Sequence, residues 1–338
     1  MPDKEFLLYQ SLRGQHLIGK APKNIVVSEL CGLQAQFQNN PGHALRVRAE
    51  DFTEPGWSGG LVKLWTLRGT LHAVLESEAG LFLSARPAEH WDDSWDIPRE
   101  VKPYWAEFIL DQVKSGNGER EHLKKACADQ GMEPELLSRV FYGWGGLLSD
   151  MCRRGLVAYS CGAGKRFVPL ENVSSWERDT ARAEILRRYF WAYGLATLSD
   201  CQYFTYYKRA EILRLIEKFS LPLKSLILDS KEYFYLQEHE SGADIPHVLF
   251  LAGFDQLLLG YKDRTRMMRE ENRRDVTTNT GIVMPTLLVD GLLSARWKKN
   301  ASAVAIAPFR KISAVNRKRV VREAERLFGA VAVKFETS

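Results

Sequence analysis

Apolar residues recur along this chain with two different periods, and the switches between them divide it into blocks. Stretches 5–15 and 24–33 carry the helical period, with Val26, Leu30 and Leu33 at i, i+4 and i+7 and Ala21-Pro22 punctuating the gap. A breaker at Asn39, Asn40, Pro41 and Gly42 leads into a short basic helix at 44–49 that carries Arg46 and Arg48. Two alternating stretches around Arg68, 61–66 and 69–75, then read as strands. Three helices followed by a β-wing is the order of a winged helix-turn-helix.

That order recurs twice. After a linker rich in Trp, Asp and Pro at 87–103, helices are predicted at 104–114, 119–130 and 147–154, the last presenting Leu147, Leu148, Met151 and Cys152 on one face. A hairpin follows at 156–160 and 165–170 around a glycine-rich turn. A third round places helices at 182–193, 200–205 (capped by Ser199) and 208–219, then a hairpin at 223–229 and 233–238. Beyond Ile245 the texture changes to short apolar strands at 247–252, 281–289, 292–298 and 303–308, a helix at 316–328 and a strand at 330–335. The expected fold class is α+β. It comprises three tandem winged-helix units at 1–86, 87–175 and 176–244, with a β-barrel-like domain at 245–338.

Composition narrows the function. Lys plus Arg number 47 against 42 Asp plus Glu, a net charge of +5. That excess is too small for a nonspecific polyanion binder, so any nucleic-acid surface must be local. No apolar run approaches the roughly 20 residues of a membrane span, and the N-terminus has no cationic region followed by an apolar one. These features point to an intracellular protein with no membrane partner. Cys31, Cys127, Cys152, Cys161 and Cys201 are widely spaced and never form CxxC, and although His122 precedes Cys127, no second ligand pair accompanies them. A metal is therefore not expected, nor any cofactor.

Local positive charge is concentrated in two places. Arg153, Arg154, Lys165 and Arg166 flank the second hairpin, either as phosphate contacts or as a solvated charged surface. Arg264, Arg266, Arg269, Arg273 and Arg274 crowd a segment at 264–279, either a mobile basic loop or an arm entering a DNA groove. Arg68 and His72 sit on the first wing, where the histidine is either a core residue or a contact near the substrate.

Gln34 and Gln36 are two neutral amides two residues apart at the end of the apolar run 25–33. On their own they read as a solvated helix terminus. Their company changes the picture. The runs Gly32-Leu33-Gln34-Ala35-Gln36, Trp65-Thr66-Leu67-Arg68-Gly69-Thr70-Leu71-His72, Phe254-Asp255-Gln256 through Arg264, and Pro285 through Gly291 with Trp297 resemble the winged-helix DNA glycosylases of the AlkZ and YcaQ group, in that family's order and over nearly the full length. The resemblance implies three winged helices with a C-terminal β-barrel, excision of bulky N-alkylated purines including crosslinked ones, and a catalytic pair at Gln34 and Gln36. Gln-x-Gln rather than Gln-x-Asp is similar to the AlkZ branch. Arg46-Val47-Arg48-Ala49 departs from the aromatic-rich helix more usual there.

An amide pair suits that chemistry. An N7- or N3-alkylated purine is already cationic and leaves as a neutral base, so the protein must place a water near the anomeric carbon rather than donate a proton. Neutral amides are poor general bases, which restricts the enzyme to activated lesions. Lys63 is the nearest strand lysine, but nothing in its sequence setting lowers its basicity, so no lyase step is expected. The expected partner is double-stranded DNA carrying alkylated bases, bound by a monomer in the cytoplasm, or on the nucleoid if the source is bacterial. The other reading is a noncatalytic DNA-binding regulator in which the glutamines read adenine edges.

Overall fold

The computed structural model describes residues 2–336 apart from 87–90, 144, 163 and 241–244. The start of the linker expected from Pro87 and the expected boundary at 244 lie outside the described residues. The fold is mixed α+β and divides into two compact units, one of residues 58–182 and one of residues 1–57 with 183–338. That division does not follow the four consecutive segments.

In the 58–182 unit, Leu61–Trp65 pairs antiparallel with Leu71–Leu75 on one edge and with Val157–Ser160 on the other, and Val157–Ser160 pairs with Phe167–Pro169. The two hairpins expected as wings of separate repeats thus share a sheet, joined through Val62↔Ser160 and Lys63↔Tyr159. The physical reason is burial. Leu61, Val62, Lys63 and Leu64 are all buried, so this strand is covered on both faces as an exposed wing would not be. Helices Lys102–Lys114, Arg120–Asp129, Pro134–Val140 and Gly146–Arg153 enclose a core that includes Ile109, Leu123, Cys127, Leu147, Met151 and Phe167. Pro134–Val140 was not legible as a helix in the pattern, and it opens on a proline whose missing N–H costs nothing at a helix start.

In the other unit, the Arg178–Ala192 helix leads into Leu198–Thr205, Arg209–Lys218 and the hairpin Lys224–Leu228/Lys231–Tyr235. The cap of Leu198–Thr205 is Thr197, in a reciprocal capping box with Asp200, rather than Ser199. The C-terminal strands form an open five-stranded sheet in the order Ala332–Phe335, Ala303–Pro308, Leu292–Lys299, Thr286–Val289, Val248–Leu251. Among the described residues this sheet does not close into the expected barrel. Ala332–Phe335 joins parallel to its neighbour after the Ala314–Phe328 helix, the kind of crossover parallel pairing requires. Phe328 of that helix packs edge-on against Phe250 at 5.8 Å, so the helix covers the sheet instead of a strand closing it.

All five cysteines are buried, and none is in a disulfide. Burial pushes the thiols of Cys127 and Cys161 up to about 12, which makes them inert packing groups. Among the described residues no three His, Cys, Asp or Glu side chains converge as a metal site would need, and no helix is long and apolar enough to cross a membrane.

Candidate active site

The helix that precedes the glutamine pair runs Lys23–Glu29 and stops short of the predicted 33. Its end is a Schellman close: Cys31 N–H donates to Ser28 O at 3.1 Å and Gly32 N–H to Val27 O at 2.8 Å. Cys31 (φ 55°) and Gly32 (φ 84°) are both left-handed, a conformation that costs a residue with a Cβ on the order of 1 kcal/mol. The turn reverses the chain into a two-residue strand, Leu33–Gln34, followed by a bend at Gln36 and Phe37 and then the helix Asn40–Arg48. The glutamines therefore do not sit on a helix terminus. Gln34 is buried, at 5% exposure, while Gln36 is exposed.

Three consecutive residues from far along the chain hold this loop. Gln256 Nε2 donates to Gly32 O at 2.7 Å, just before Gln34. Phe254, itself left-handed at φ 53°, stacks on Phe37 at 5.7 Å and 21°, just after Gln36. Between them Asp255 caps the Gln256–Leu259 helix by accepting from Leu257 N–H, and it receives both arms of Arg48 at 2.6 and 3.0 Å. Both partners of that pair are fully buried. Arg48 completes its donor set on Gln15 O and Ala44 O. Tyr193 adds a further tie from its hydroxyl to Leu30 O at 3.0 Å. Hydrogen bonds and a ring stack thus fix the backbone on both sides of the pair.

Of these residues the sequence offered only the glutamines as catalytic candidates, while Phe254, Asp255 and Gln256 entered as part of a motif carrying the family resemblance. Arg48 was legible merely as one cation of a basic helix, and nothing in its spacing announced a buried partner 207 residues away. An Asp ahead of a short apolar helix is a legible cap, but the sequence does not show which guanidinium it also receives.

His72 and Arg68 lie together in the 58–182 unit. The Arg68 guanidinium can only donate, so His72 Nε2 accepts from it at 3.0 Å, and Nδ1 carries the proton toward Thr70 O at 3.1 Å. Burial first, and then the Arg68 charge, lower the His72 pKa to about 3, so this imidazole is neutral and fully committed. Lys63 corrects the expectation of an ordinary lysine: it is buried and burial lowers its pKa, against a smaller opposing influence of Cys161.

The basic candidates separate by exposure. Arg154, Lys165, Arg269, Arg273 and Arg274 are exposed. Arg153 and Arg166 are half-buried, and Arg166 donates to Gly116 O. Arg264 is tied to Leu258 O, Thr277 and Tyr203. Arg266 departs furthest from an arm: it is 6% exposed, donates to Ser11 Oγ and Leu195 O, and lies 3.9 Å from the Tyr261 ring centroid. A guanidinium so enclosed does not reach a phosphate. The 264–279 segment is likewise no free loop, because Met267, Met268 and Val276 anchor it in the interior and Arg273–Val276 is helical.

The Gln34–Gln36 loop thus pairs a buried with an exposed amide and is braced from both sides. The model of the family described as AlkZ-like DNA glycosylase matches residues 27–329, and the chain belongs to that family. An interstrand DNA cross-link repair glycosylase from Streptomyces sahachiroi is 29% identical over 342 residues, covering 91% of this chain and 90% of that protein. The solved structure of the Streptomyces sahachiroi DNA glycosylase AlkZ superposes with a TM-score of 0.78 at 22% identity, covering 98% of this chain and 99% of the other.

Proposed function

We propose that the chain is a monofunctional glycosylase that hydrolyses the N-glycosidic bond of cationic N7- and N3-alkylated purines in duplex DNA, using a water held by Gln34 and Gln36. The observation that carries this reading is the bracing of the Gln34–Gln36 loop by Phe254 and Gln256. The lesion supplies its own leaving-group activation, since a cationic purine departs as a neutral base and leaves positive charge on the sugar. Two amides can accept the protons of one water and turn its lone pair toward the anomeric carbon, and the proton released on attack passes to solvent, toward which Gln36 opens.

The name of the Streptomyces sahachiroi relative supports extending the substrates to interstrand crosslinks in which one arm is an alkylated purine. The helix–hairpin segments serve as winged-helix units on the duplex, with the exposed Arg154, Lys165, Arg269, Arg273 and Arg274 supplying phosphate contacts. The protein works as a monomer in the cytoplasm or on the nucleoid. The test is base release from duplex DNA carrying a single N7-methylguanine. Free 7-methylguanine and an alkali-labile abasic strand are expected, and their absence with the purified protein overturns the reading.

A further inference from the structure

A cleft of about 680 Å³ opens beside the glutamine loop. Its two walls are continuations of the segments that brace the site. Asn39 and Asn40 follow Gln36 and Phe37 directly, and Ala252 and Gly253 run directly into Phe254. Three residues of chain span at most about 11 Å, so the lip at Asn39 lies within that distance of Gln36.

The floor is aromatic and rigid. Trp297 is anchored by its indole N–H on Leu251 O at 2.9 Å, and the His43 ring lies 4.7 Å from it, fixed by Nε2–H donating to Phe250 O at 2.7 Å. Phe328 completes the set, 5.6 Å from Trp297 and 5.8 Å from His43. All three are half-buried, so their outer surfaces line open space. Burial above all lowers the His43 pKa to about 4, keeping the imidazole neutral at ordinary pH. Arg46 at the margin is neutralised by an ion pair with Glu54. The floor itself is uncharged and aromatic, a surface that attracts a flat apolar group, while the exposed Lys298 and Lys299 also line the cleft and supply its positive charge.

Resting on the glycosylase reading, we propose that this cleft receives the bulky planar substituent borne by the lesion purine, an aromatic group carried into DNA by an alkylating agent, while the purine itself faces Gln34 and Gln36. Size decides for the substituent over a bare methylated base. The volume falls in the range, roughly 300–1,000 Å³, of pockets that enclose drug-sized molecules, and a methyl group would leave it empty. The cleft thus acts as a specificity site that favours large adducts.

Ala301 sits exposed at the mouth, where a larger side chain fills the cleft without entering the core. The experiment compares single-turnover excision of N7-methylguanine and of N7-(naphthylmethyl)guanine from the same duplex by wild type, Ala301→Trp and Phe328→Leu. Wild type is expected to prefer the naphthylmethyl lesion, and the ratio of the two efficiencies to fall about tenfold in Ala301→Trp and by a lesser factor in Phe328→Leu. An unchanged ratio overturns the cleft assignment while leaving the glycosylase reading intact. Titration of free N7-(naphthylmethyl)guanine, followed by Trp fluorescence, separates the other case. If wild type releases neither lesion, the glycosylase reading fails, and saturable binding lost in Ala301→Trp still supports the cleft whereas no binding overturns it.

Discussion

The Gln256 amide donates to the Gly32 carbonyl at 2.7 Å, across 224 residues of chain. This bond joins two sequence motifs that have no local reason to meet, and it ends two residues before Gln34. Removing it by Gln256→Leu leaves a buried carbonyl unsatisfied and frees the loop. Single-turnover excision is expected to fall by roughly tenfold to a hundredfold, the scale of a lost hydrogen bond of about 1–3 kcal/mol, with duplex affinity changed far less. Equal losses in rate and affinity would show that Gln256 supports the fold generally and not the loop.

Gln34→Ala and Gln36→Ala are each expected to raise the excision barrier by about 2–4 kcal/mol while DNA affinity stays within a few fold. The two differ in a second respect. Gln34 is buried and Gln36 exposed, so only Gln34→Ala is expected to lower the urea midpoint. Unchanged single-turnover rates in both variants would remove the catalytic assignment.

Arg48→Met strands the Asp255 carboxylate in the interior. A loss of about 3–5 kcal/mol of stability is expected, measured by urea unfolding, because a buried charge without its partner retains its full desolvation cost. Combining it with Asp255→Asn is expected to recover part of that loss, and no recovery would mean that the pair is not coupled.

Binding to duplex DNA is expected to weaken with salt, and Arg273→Ala with Arg274→Ala to flatten the slope of log affinity against log salt by about two at most. Arg266→Ala makes the contrasting control. Its guanidinium is interior, so it is expected to lower thermal stability and leave the salt slope alone.

The neutral imidazoles of His43 and His72 set a pH dependence. Their folded pKa values, about 4 and about 3, lie below the ordinary 6.5, so the unfolded chain binds more protons in between. Stability contributed by these two groups is complete above about pH 6.5 and is lost as pH falls toward 4 and 3. The unfolding free energy of His72→Gln should show a shallower dependence across pH 6.5 to 4 than wild type. An identical dependence would mean that His72 titrates normally.

Much of the local structure was legible because it rests on local causes. The 3.6-residue period found the Arg209–Lys218 helix to within a residue or so at each end, and a short apolar run between turn residues found Ala303–Pro308. The misreadings have non-local causes. Continuing apolar spacing hid the end of the helix at Glu29, since a left-handed cysteine gives no signal of the kind glycine does. The sheet shared by the hairpins at 61–75 and 157–169 was not legible because the extra partner strand, Val157–Ser160, lies about ninety residues away, and a run of short apolar strands does not show whether a sheet's two edges meet. At the site, the glutamines were legible through family resemblance, whereas Arg48, Asp255 and Gln256 become visible as a brace only when the chain is folded.

The brace also orders events in time. Residues 58–182 form a contiguous unit and can settle as soon as they leave the ribosome, but Gly32 must wait for Gln256, 224 residues later. At about 5–20 residues per second, that is an interval of about 11 to 45 s during which the nascent chain displays both glutamines without the support that aligns them. The glutamine loop thus gains this brace only after Gln256 has been made.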